Sequence, residues 1–439
     1  DALPIPMDEA FKAQTTSGEA IVLLRDYTTG STFNSGTVAR TVDLNGHTWT
    51  CTGTDANSAA FEINNPNAKL TVKNGKVVSS QLVGLIPSAM GGTIKYDNSE
   101  LVFENVEMTT TARSGIETNG SNTNDTVTLK NSTLNVPNGY GIYFPSSGTL
   151  TIDNSVINAK TMGVQVCSGS LNISGAGTAI TVTGDGIAKT ENDGAIEDGA
   201  AISIVERTGY KGLIAIKVES GTFTAKAGND AVKAYKWDNT NKTESDFTQA
   251  AKVSVSGGTF SSEVDKSLCA KGYIPTKNAD GTYGVKEGKY VAEIGSQGYE
   301  SLTEAIDAAQ DGQTVTLLAD ATEDVVISKS ITLDLGGKTL TNTNAGKATI
   351  SVTGGTVTVQ NGNVVGGTSY YNIEVTKGSN ANLTLTDVTA TAGNTGSSMI
   401  DNWGTLTITS GTYTGGLNVV KSEEGSVLNI SGGTFTRET

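Results

Sequence analysis

Leu70-Thr-Val-Lys-Asn-Gly-Lys-Val77 contains the pattern from which the architecture follows: a short alternating apolar run, a turn of Asn and Gly, and a second alternating run. Variants of this segment return along the chain, beginning at Leu101, Val127, Leu150, Leu171, Ile216, Val253, Val357, Leu383, Leu406 and Leu428. Many copies lie roughly 21 to 31 residues apart, a spacing typical of solenoid coils. The sequence therefore predicts a stack of similar coils.

A second short strand lies between successive copies, and each example has two apolar residues separated by one variable residue. The clearest examples are Gly141-Ile-Tyr-Phe144, Gly163-Val-Gln-Val166 and Asn372-Ile-Glu-Val375. Because side chains alternate along a strand, the apolar pair lies on one face and the middle residue on the other. One coil cannot bury its apolar face alone, whereas stacked coils bury a continuous core.

The chain is also duplicated on a larger scale. Met7-Asp-Glu-Ala-Phe11 and Leu302-Thr-Glu-Ala-Ile306 each precede a β-rich run, and Ser301 with Glu304 forms a capping box. We predict an all-β fold, a right-handed parallel β-helix (solenoid) in two tandem units, residues 1–288 and 289–439. Each unit is opened by a short capping helix, the second near 301–310, because exposed terminal strands invite edge pairing. The first unit ends in a terminal cap segment, and the second is predicted to be uncapped at its C-terminal end.

Composition excludes several classes of function. The 439 residues carry 30 Lys and Arg against 45 Asp and Glu, for a formal charge of −15. Without a basic block, this acidic balance disfavours nucleic-acid binding, because phosphate contacts need clustered cations. No apolar run reaches the ~18 residues of a membrane span. The one His, His47, excludes a His-rich zinc site, and three Cys without C-x-x-C spacing predict no disulfide framework.

Several turn and cap motifs resemble those of secreted and cell-surface repeat proteins of gut and anaerobic bacteria, within the pectate-lyase-like β-helix superfamily. They are Leu44-Asn-Gly-His-Thr48, Ser256-Gly-Gly-Thr-Phe260, Asp280-Gly-Thr-Tyr283 and the opening at Ser301. The resemblance implies a β-helix that is secreted or at the bacterial cell surface. A chain that starts at Asp1 without Met suits either a mature secreted protein or a trimmed chain. The superfamily holds lyases, hydrolases, epimerases and adhesins, so its fold does not give a function.

Catalytic groups are not evident. The resemblance implies that lyases of this fold use an acidic Ca²⁺ cluster beside a Lys or Arg base, and that hydrolases use paired Asp residues with a His. This chain has no Asp-Asp dipeptide, and we interpret His47 as a turn residue because it lacks an evident catalytic partner. We therefore predict no catalytic residues.

The middle residues of the second strand predict an outward ladder that suits a glycan or another surface ligand. Aromatic rings beside hydrogen-bonding side chains are suited to stacking against sugars. The candidate ligand-binding residues are Glu117, Tyr143, Gln165, Ser203, Lys233, Tyr235 and Trp237, and the second half offers Tyr370, Tyr371 and Trp403. The alternative interpretation is a set of ordinary surface or loop-packed aromatics.

An acidic loop, residues 185–198, is a candidate Ca²⁺ site because it holds hard oxygen ligands at short spacing. Its carboxylates are Asp185, Glu191, Asp193, Glu197 and Asp198. They lack the spacing of an EF-hand or of glycine-rich calcium repeats, so a solvated loop is the alternative. No other cofactor is predicted.

These observations favour a non-enzymatic secreted or cell-surface β-helix protein, acting as an adhesin, a glycan-binding module or a subunit of a surface fibre. Head-to-tail self-association of solenoids would propagate such a fibre. The alternative is a polysaccharide lyase or glycoside hydrolase on a β-helix scaffold. A cleft with two or three carboxylates and a Lys or Arg would favour the enzyme, because such clusters perturb pKa values.

Overall fold

A computed structural model describes residues 7, 9–10, 20–191, 194–342 and 344–437. The described residues form an all-β structure with long parallel sheets. The chain divides into two compact units, Asp1–Glu287 and Gly288–Thr439, each with its own hydrophobic core.

Two sheets build the first unit, and in its described residues they contain 18 and nine strands. The strands of the larger sheet are Ala20–Val22, Tyr27–Thr29, Arg40–Asp43, Thr48–Cys51, Lys69–Ser79, Glu100–Thr110, Thr126–Lys130, Thr133–Val136, Thr149–Asp153, Val156–Ala159, Ser168–Ser174, Ala179–Val182, Gly212–Val218, Thr222–Thr224, Val253–Val255, Thr259–Phe260, Tyr273–Lys277 and Tyr283–Glu287. Those of the smaller sheet are Phe33–Asn34, Ala59–Glu62, Leu82–Ile86, Ser114–Thr118, Tyr140–Phe144, Met162–Val166, Ile202–Arg207, Val232–Asp238 and Thr243–Ser245.

The second unit repeats this arrangement with sheets of 12 and five strands among its described residues. The larger sheet contains Ala292–Ile294, Gln297–Tyr299, Thr314–Leu317, Ala321–Thr322, Thr332–Asp334, Thr339–Thr341, Thr356–Val365, Asn382–Thr391, Thr405–Ile408, Gly411–Thr414, Val427–Ile430 and Thr434–Thr436. The smaller sheet contains Val325–Ile327, Ile350–Val352, Ile373–Val375, Ile400–Asn402 and Val420–Ser422.

Most neighbouring strands in these sheets come from successive copies of the repeat and run parallel, and the antiparallel pairs include those at the end of the first unit and the start of the second. Leu70 lies opposite Leu101, and Leu101 lies opposite Val127, so equivalent residues of successive copies stack in register. The inward residues of both sheets are buried together, whereas the intervening residues of the larger sheet are exposed or half-buried. This arrangement, in which each coil adds a strand to each sheet, is consistent with a β-helix, as the repeat pattern predicted.

Asparagine makes the bend between consecutive strands. Strand Lys69–Ser79 pairs along its whole length with Glu100–Thr110, although Asn74 and Asn105 have φ values of 59° and 56°. Asn tolerates this left-handed conformation better than most residues. The Asn105 side chain also donates to Oδ1 of Asn74 at 3.2 Å, so the bends are linked from coil to coil.

Each unit contains short non-strand elements. Three 3₁₀ turns lie in the first unit, at Met90–Gly92, Ala250–Lys252 and Lys266–Leu268, and one α-helix, Leu302–Ala308, lies in the described part of the second. The predicted helix near 301–310 is therefore present, and Ser301 Oγ accepts from the Glu304 backbone N–H at 3.1 Å, as the capping box predicted. Of the predicted helix Met7–Phe11, only Met7, Glu9 and Ala10 are described, and they are helical.

The two units end differently within the described residues. In the first unit, the antiparallel strands Tyr273–Lys277 and Tyr283–Glu287 close the large sheet against Thr259–Phe260. In the second unit, Val427–Ile430 pairs with Thr405–Ile408 on one side only. Apolar side chains of this last coil are exposed, including Val427 and Ile430, at 48% and 49%.

Membrane-spanning helices were sought throughout the described part of the chain. No helix there has the length and apolar character needed to cross a bilayer.

Candidate functional site

The outward ladder of the first unit has the register that the sequence predicted. Glu117 lies opposite Tyr143, and Tyr143 lies opposite Gln165. Gln165 in turn lies opposite Ser203, and Ser203 opposite Lys233. The alternation in each strand places their neighbours, such as Ile142 and Val164, in the core. In several coils a glycine lies two residues before the ladder residue, as Gly163 does before Gln165. A Cβ at Gly163 would lie 2.3 Å from the carbonyl oxygen of Ala201, which is too close for a carbon atom.

Most of this ladder is buried, contrary to the exposed face that the sequence analysis expected. Gln165 and Ser203 are 0% exposed, and Tyr143 is 5% exposed. The acidic loop is the reason, because its residues Ala195 and Ile196 pack with Tyr143, Tyr235 and Trp237 in a second hydrophobic cluster. Only the two ends of the ladder, at Glu117 and Lys233, are half-buried rather than buried.

Hydrogen bonds hold the acidic loop on the ladder. Nε2 of Gln165 donates to the Ile196 carbonyl oxygen at 2.7 Å, and Oε1 of Gln165 accepts from the Ile196 N–H at 2.9 Å. Thr161 donates its hydroxyl to the Glu197 carboxylate. At the other end, Nη1 of Arg207 donates to the Gly194 carbonyl oxygen at 2.6 Å.

Asp198 is a half-buried acid at the centre of a hydrogen-bond network in this site. Its carboxylate accepts from Ser203 Oγ at 2.6 Å, from the Tyr235 hydroxyl at 2.9 Å and from the Ala200 backbone N–H at 3.0 Å. Burial raises the pKa of Asp198, and these three hydrogen bonds oppose the increase. Burial likewise raises the pKa of the Tyr235 hydroxyl, and the neighbouring Asp198 carboxylate adds to that increase.

A cavity of about 320 Å³ opens where the acidic loop meets the end of the ladder. Four of the residues that line it were predicted from the sequence to have separate roles. Glu197 and Asp198 were candidate metal ligands, and Lys233 and Trp237 were candidate ligand-binding residues. The lining residues are Gly186, Ile187, Ala188, Lys189, Ile196, Glu197, Asp198, Lys233, Trp237, Lys242 and Glu244.

The cavity combines paired charges with aromatic surface. Nζ of Lys233 lies 2.6 Å from Oε1 of Glu244 and 4.7 Å from the centre of the Tyr235 ring. The indole of Trp237 packs edge-on to Tyr235, with ring centres 6.4 Å apart. Its N–H has no hydrogen-bond partner among the described residues. The arrangement offers a donor, several acceptors and an apolar wall to a small polar molecule.

The opposite end of the ladder does not belong to this cavity. Glu117 accepts there from the Ser114 hydroxyl at 2.6 Å and from the Tyr140 hydroxyl at 2.7 Å. Arg113 Nη2 lies 3.2 Å from Oε1 of Glu117, an ion pair on the exposed side of the same group. The Glu117 carboxylate is therefore already bound by Ser114, Tyr140 and Arg113.

Sequence reasoning missed Arg207 and Tyr210, which hold the middle of the ladder. Arg207 is buried, and its Nη1 donates to the Tyr143 hydroxyl at 3.1 Å. The Tyr143 hydroxyl also lies 2.9 Å from that of Tyr210, whose ring is stacked under the guanidinium. No local motif marks either residue, because Arg207 reaches Tyr143 only through the alignment of three coils.

The described carboxylates of the acidic loop do not converge on one point. Asp185 forms an ion pair with Lys226 at 2.5 Å, whereas Glu197 and Asp198 are bonded to Thr161 and to Ser203. Asp193 lies outside the described residues. Across the part of the chain that is described, no three acidic, His or Cys side chains form a group able to hold a metal ion. The structure therefore gives the calcium hypothesis, which also included Glu191, no support in the described residues.

Comparison with known proteins adds little beyond the fold. No protein-family model matches the chain, and no curated protein matches it. Among solved structures, the chain is similar to a mutant of AlyGC, an alginate lyase of the PL6 family, with 10% identity and a TM-score of 0.18. The match covers 98% of this chain and 79% of that one. Likeness at this level carries no argument about activity, and the long parallel sheets by themselves are consistent with a parallel β-helix.

Proposed function

We propose that the protein is a non-enzymatic, secreted or cell-surface β-helix protein that binds a glycan. In this proposal each unit is a right-handed parallel β-helix, opened by a short helix that covers the first coil. The observation that carries the proposal is the cavity at the end of the ladder, where Lys233, Glu244 and Trp237 meet. Sugars are bound in proteins by such combinations of planar hydrogen-bonding groups and aromatic surface.

The hydrogen bonds around the cavity favour binding over acid–base catalysis. A general base must reach the proton that it removes. The Asp198 carboxylate already accepts from Ser203 and Tyr235, and Glu197 accepts from Thr161, so the protein's own donors occupy both carboxylates. The ammonium of Lys233 is already paired with Oε1 of Glu244 at 2.6 Å, so it is held by the protein's own carboxylate rather than directed at a substrate proton.

A polysaccharide lyase or glycoside hydrolase is the second candidate. The observation in its favour is the meeting of three carboxylates, Glu197, Asp198 and Glu244, with Lys233 around one cavity. Groups of this kind are common at active sites, because opposed charges and burial shift pKa values there. Release of unsaturated sugar ends, or of new reducing ends, from polysaccharides would distinguish this candidate from the first.

Assembly into a fibre is compatible with glycan binding. Solenoid units that join head to tail make a heterologous contact, which propagates into a filament when it does not close into a ring. In this proposal the partner is a second copy, added head to tail. Electron microscopy at high protein concentration tests it, and a monodisperse monomer there would count against it.

The binding proposal is tested by titrating the protein with glycans found on a carbohydrate array. Lys233→Met and Glu244→Gln should each weaken binding about tenfold, because each removes a charged hydrogen-bonding group worth roughly 1–2 kcal/mol. The matched controls are Lys76→Met and Glu107→Gln, which break an exposed ion pair of 2.9 Å on the larger sheet. Equal effects of both pairs of variants, or the absence of any glycan ligand, would overturn the proposal.

A further inference from the structure

We propose that the second unit carries its own binding site for a non-acidic saccharide, formed by Tyr370, Tyr371, Glu374, Asp401 and Trp403. The site lies on the outward face of the five-stranded sheet and shares no residue with the cavity of the first unit. Either site can therefore fail without affecting the other.

The register of the five-stranded sheet places the polar members of the site side by side. Glu374 lies opposite Asp401, and Asp401 lies opposite Lys421. Glu374 is flanked in its strand by Ile373 and Val375, which are 0% exposed and belong to the core. The side chain between them therefore points away from that core. Parallel strands lie about 4.8 Å apart, so two carboxylates occupy adjacent rungs.

Three aromatic rings accompany these carboxylates. The rings of Tyr370 and Tyr371 have centres 4.7 Å apart, and both side chains are half-buried. The indole N–H of Trp403 donates to Oδ2 of Asp401 at 2.8 Å. Lys377 places its ammonium 4.4 Å above the Trp403 ring. The tyrosine pair thus provides partly exposed apolar surface next to hydrogen-bond acceptors.

The carboxylates at this site have unused accepting capacity. Asp401 is 1% exposed, yet its Oδ1 accepts no hydrogen bond from the described residues. Buried acceptors are nearly always satisfied in native proteins, and leaving one unsatisfied destabilises the fold. Burial raises the pKa of both Asp401 and Glu374, and the Asp401 carboxylate adds to the increase at Glu374. Donors supplied by a ligand to the half-buried Glu374 would relieve this crowding of negative charge.

The charges determine the class of ligand. The Asp401 carboxylate interacts electrostatically with the carboxylates of Glu374 and Glu423, and negative charges at these positions repel the carboxylate of a uronic acid. The nearby cations are occupied, because Lys421 is paired with Glu423 and Lys377 lies over Trp403. The hydroxyl groups of a neutral sugar can donate to the carboxylates, while the apolar face of its ring packs on a tyrosine.

Titration of the full chain with soluble oligosaccharides tests this inference. The probes are cellopentaose and mannopentaose as neutral ligands, trigalacturonate as the acidic ligand, and chitosan pentamer as the cationic one. We expect saturable binding of a neutral probe and none of trigalacturonate. Tyr371→Ala and Glu374→Gln should each weaken that binding about tenfold. The first-unit variant Glu244→Gln should leave it unchanged.

Four results would overturn the inference. Two concern the neutral probes: no saturable binding of either one, or binding that both second-unit variants leave intact. The others are binding of trigalacturonate that the second-unit variants weaken, and binding of the chitosan pentamer alone, which would indicate a site for cations. Glu374→Gln removes a charge without removing bulk, so a loss of binding there can be separated from misfolding by its thermal unfolding curve. A loss of binding in Glu244→Gln alone would assign the saccharide to the first unit.

Discussion

The side-chain amide of Gln165 forms two hydrogen bonds with the backbone of Ile196, one through Nε2 and one through Oε1. A buried glutamine thus pairs with the acidic loop much as a neighbouring strand would. The same contact covers the middle of the outward ladder and brings Glu197 and Asp198 to the cavity that ends at Lys233.

Gln165→Ala should loosen the acidic loop. The change leaves the Ile196 N–H and carbonyl without partners in a buried place, which costs about 2–4 kcal/mol of unfolding free energy. Hydrogen exchange should become faster at the Ile196 amide than at the amides of the core strands. Gln360→Ala is the control, since Gln360 makes a single contact to Asp334 at a less buried position. Unchanged protection at Ile196 would contradict the role given to Gln165.

Asp125 should make the stability of the protein depend on pH. Burial raises the pKa of Asp125 to about 7, against 3.8 for an Asp side chain in water. The folded state therefore keeps a proton that the unfolded state loses, so stability falls as pH rises from about 4 to 7 and levels off above that range. The effect is on the order of 2–4 kcal/mol. Urea unfolding at pH 5 and pH 8 measures it.

Asp125→Asn is the informative variant, because it removes the titration while preserving the shape of the side chain. The difference in stability between pH 5 and pH 8 should be smaller in this variant than in the unaltered protein. In the variant, the amide oxygen can still accept from the Ser99 N–H, and the amide nitrogen that replaces Oδ2 can donate to the Ser146 hydroxyl, which lies 3.2 Å from Oδ2 in the unaltered protein. The same pH dependence in both proteins would show that Asp125 titrates normally.

Asn74 should stabilise the bend of its long strand in two separable ways. Asn74→Ala places an ordinary side chain at a φ of 59° and also removes the hydrogen bonds to Asp43 and Asn105, with an expected loss of about 1–3 kcal/mol. Asn74→Gly restores the backbone freedom but not the hydrogen bonds, so its loss should be smaller. If the two variants unfold at the same urea concentration, the backbone conformation contributes nothing.

Calcium should not bind with defined stoichiometry at the acidic loop. Asp185, Glu197 and Asp198 each have a protein partner, and an ion would have to displace Lys226, Thr161 and Ser203 from them. Calorimetric titration of the apo protein with CaCl₂ measures this directly. Stoichiometric heat that is lost in Asp185→Asn would restore the calcium hypothesis.

The repeat pattern was sufficient to predict the parallel sheets and the order of the ladder. Alternation fixes which face a residue occupies, and equivalent positions in successive copies must then stack, so Tyr143 and Gln165 could be placed side by side. Burial of the ladder could not be predicted, because the acidic loop has no periodicity that would reveal where it packs. The partners of Gln165 and Asp198 lie on that loop and become neighbours only in the folded chain.

The second-unit site shows the same limit. Glu374 is the middle residue of a predicted strand, and Tyr370, Tyr371 and Trp403 were recognised as candidate aromatics. These residues come close to Asp401 only because strand Ile373–Val375 pairs in register with strand Ile400–Asn402. The segment between the two strands has no regular length from which that register could be predicted. The sequence thus placed Glu374 in the middle of a strand and named the aromatics, but it did not group them into a site.

The central claim is that this β-helix protein binds glycan without cleaving it. Co-sedimentation with insoluble and cross-linked polysaccharides tests this claim most directly. The supernatant is assayed in the same experiment for unsaturated and reducing sugar ends. We predict that the protein sediments with at least one polysaccharide, that Lys233→Met reduces the bound fraction, and that no new sugar ends are released. Release of such ends by the unaltered protein, with loss of that release in Lys233→Met, would contradict the claim and establish the cavity as an active site.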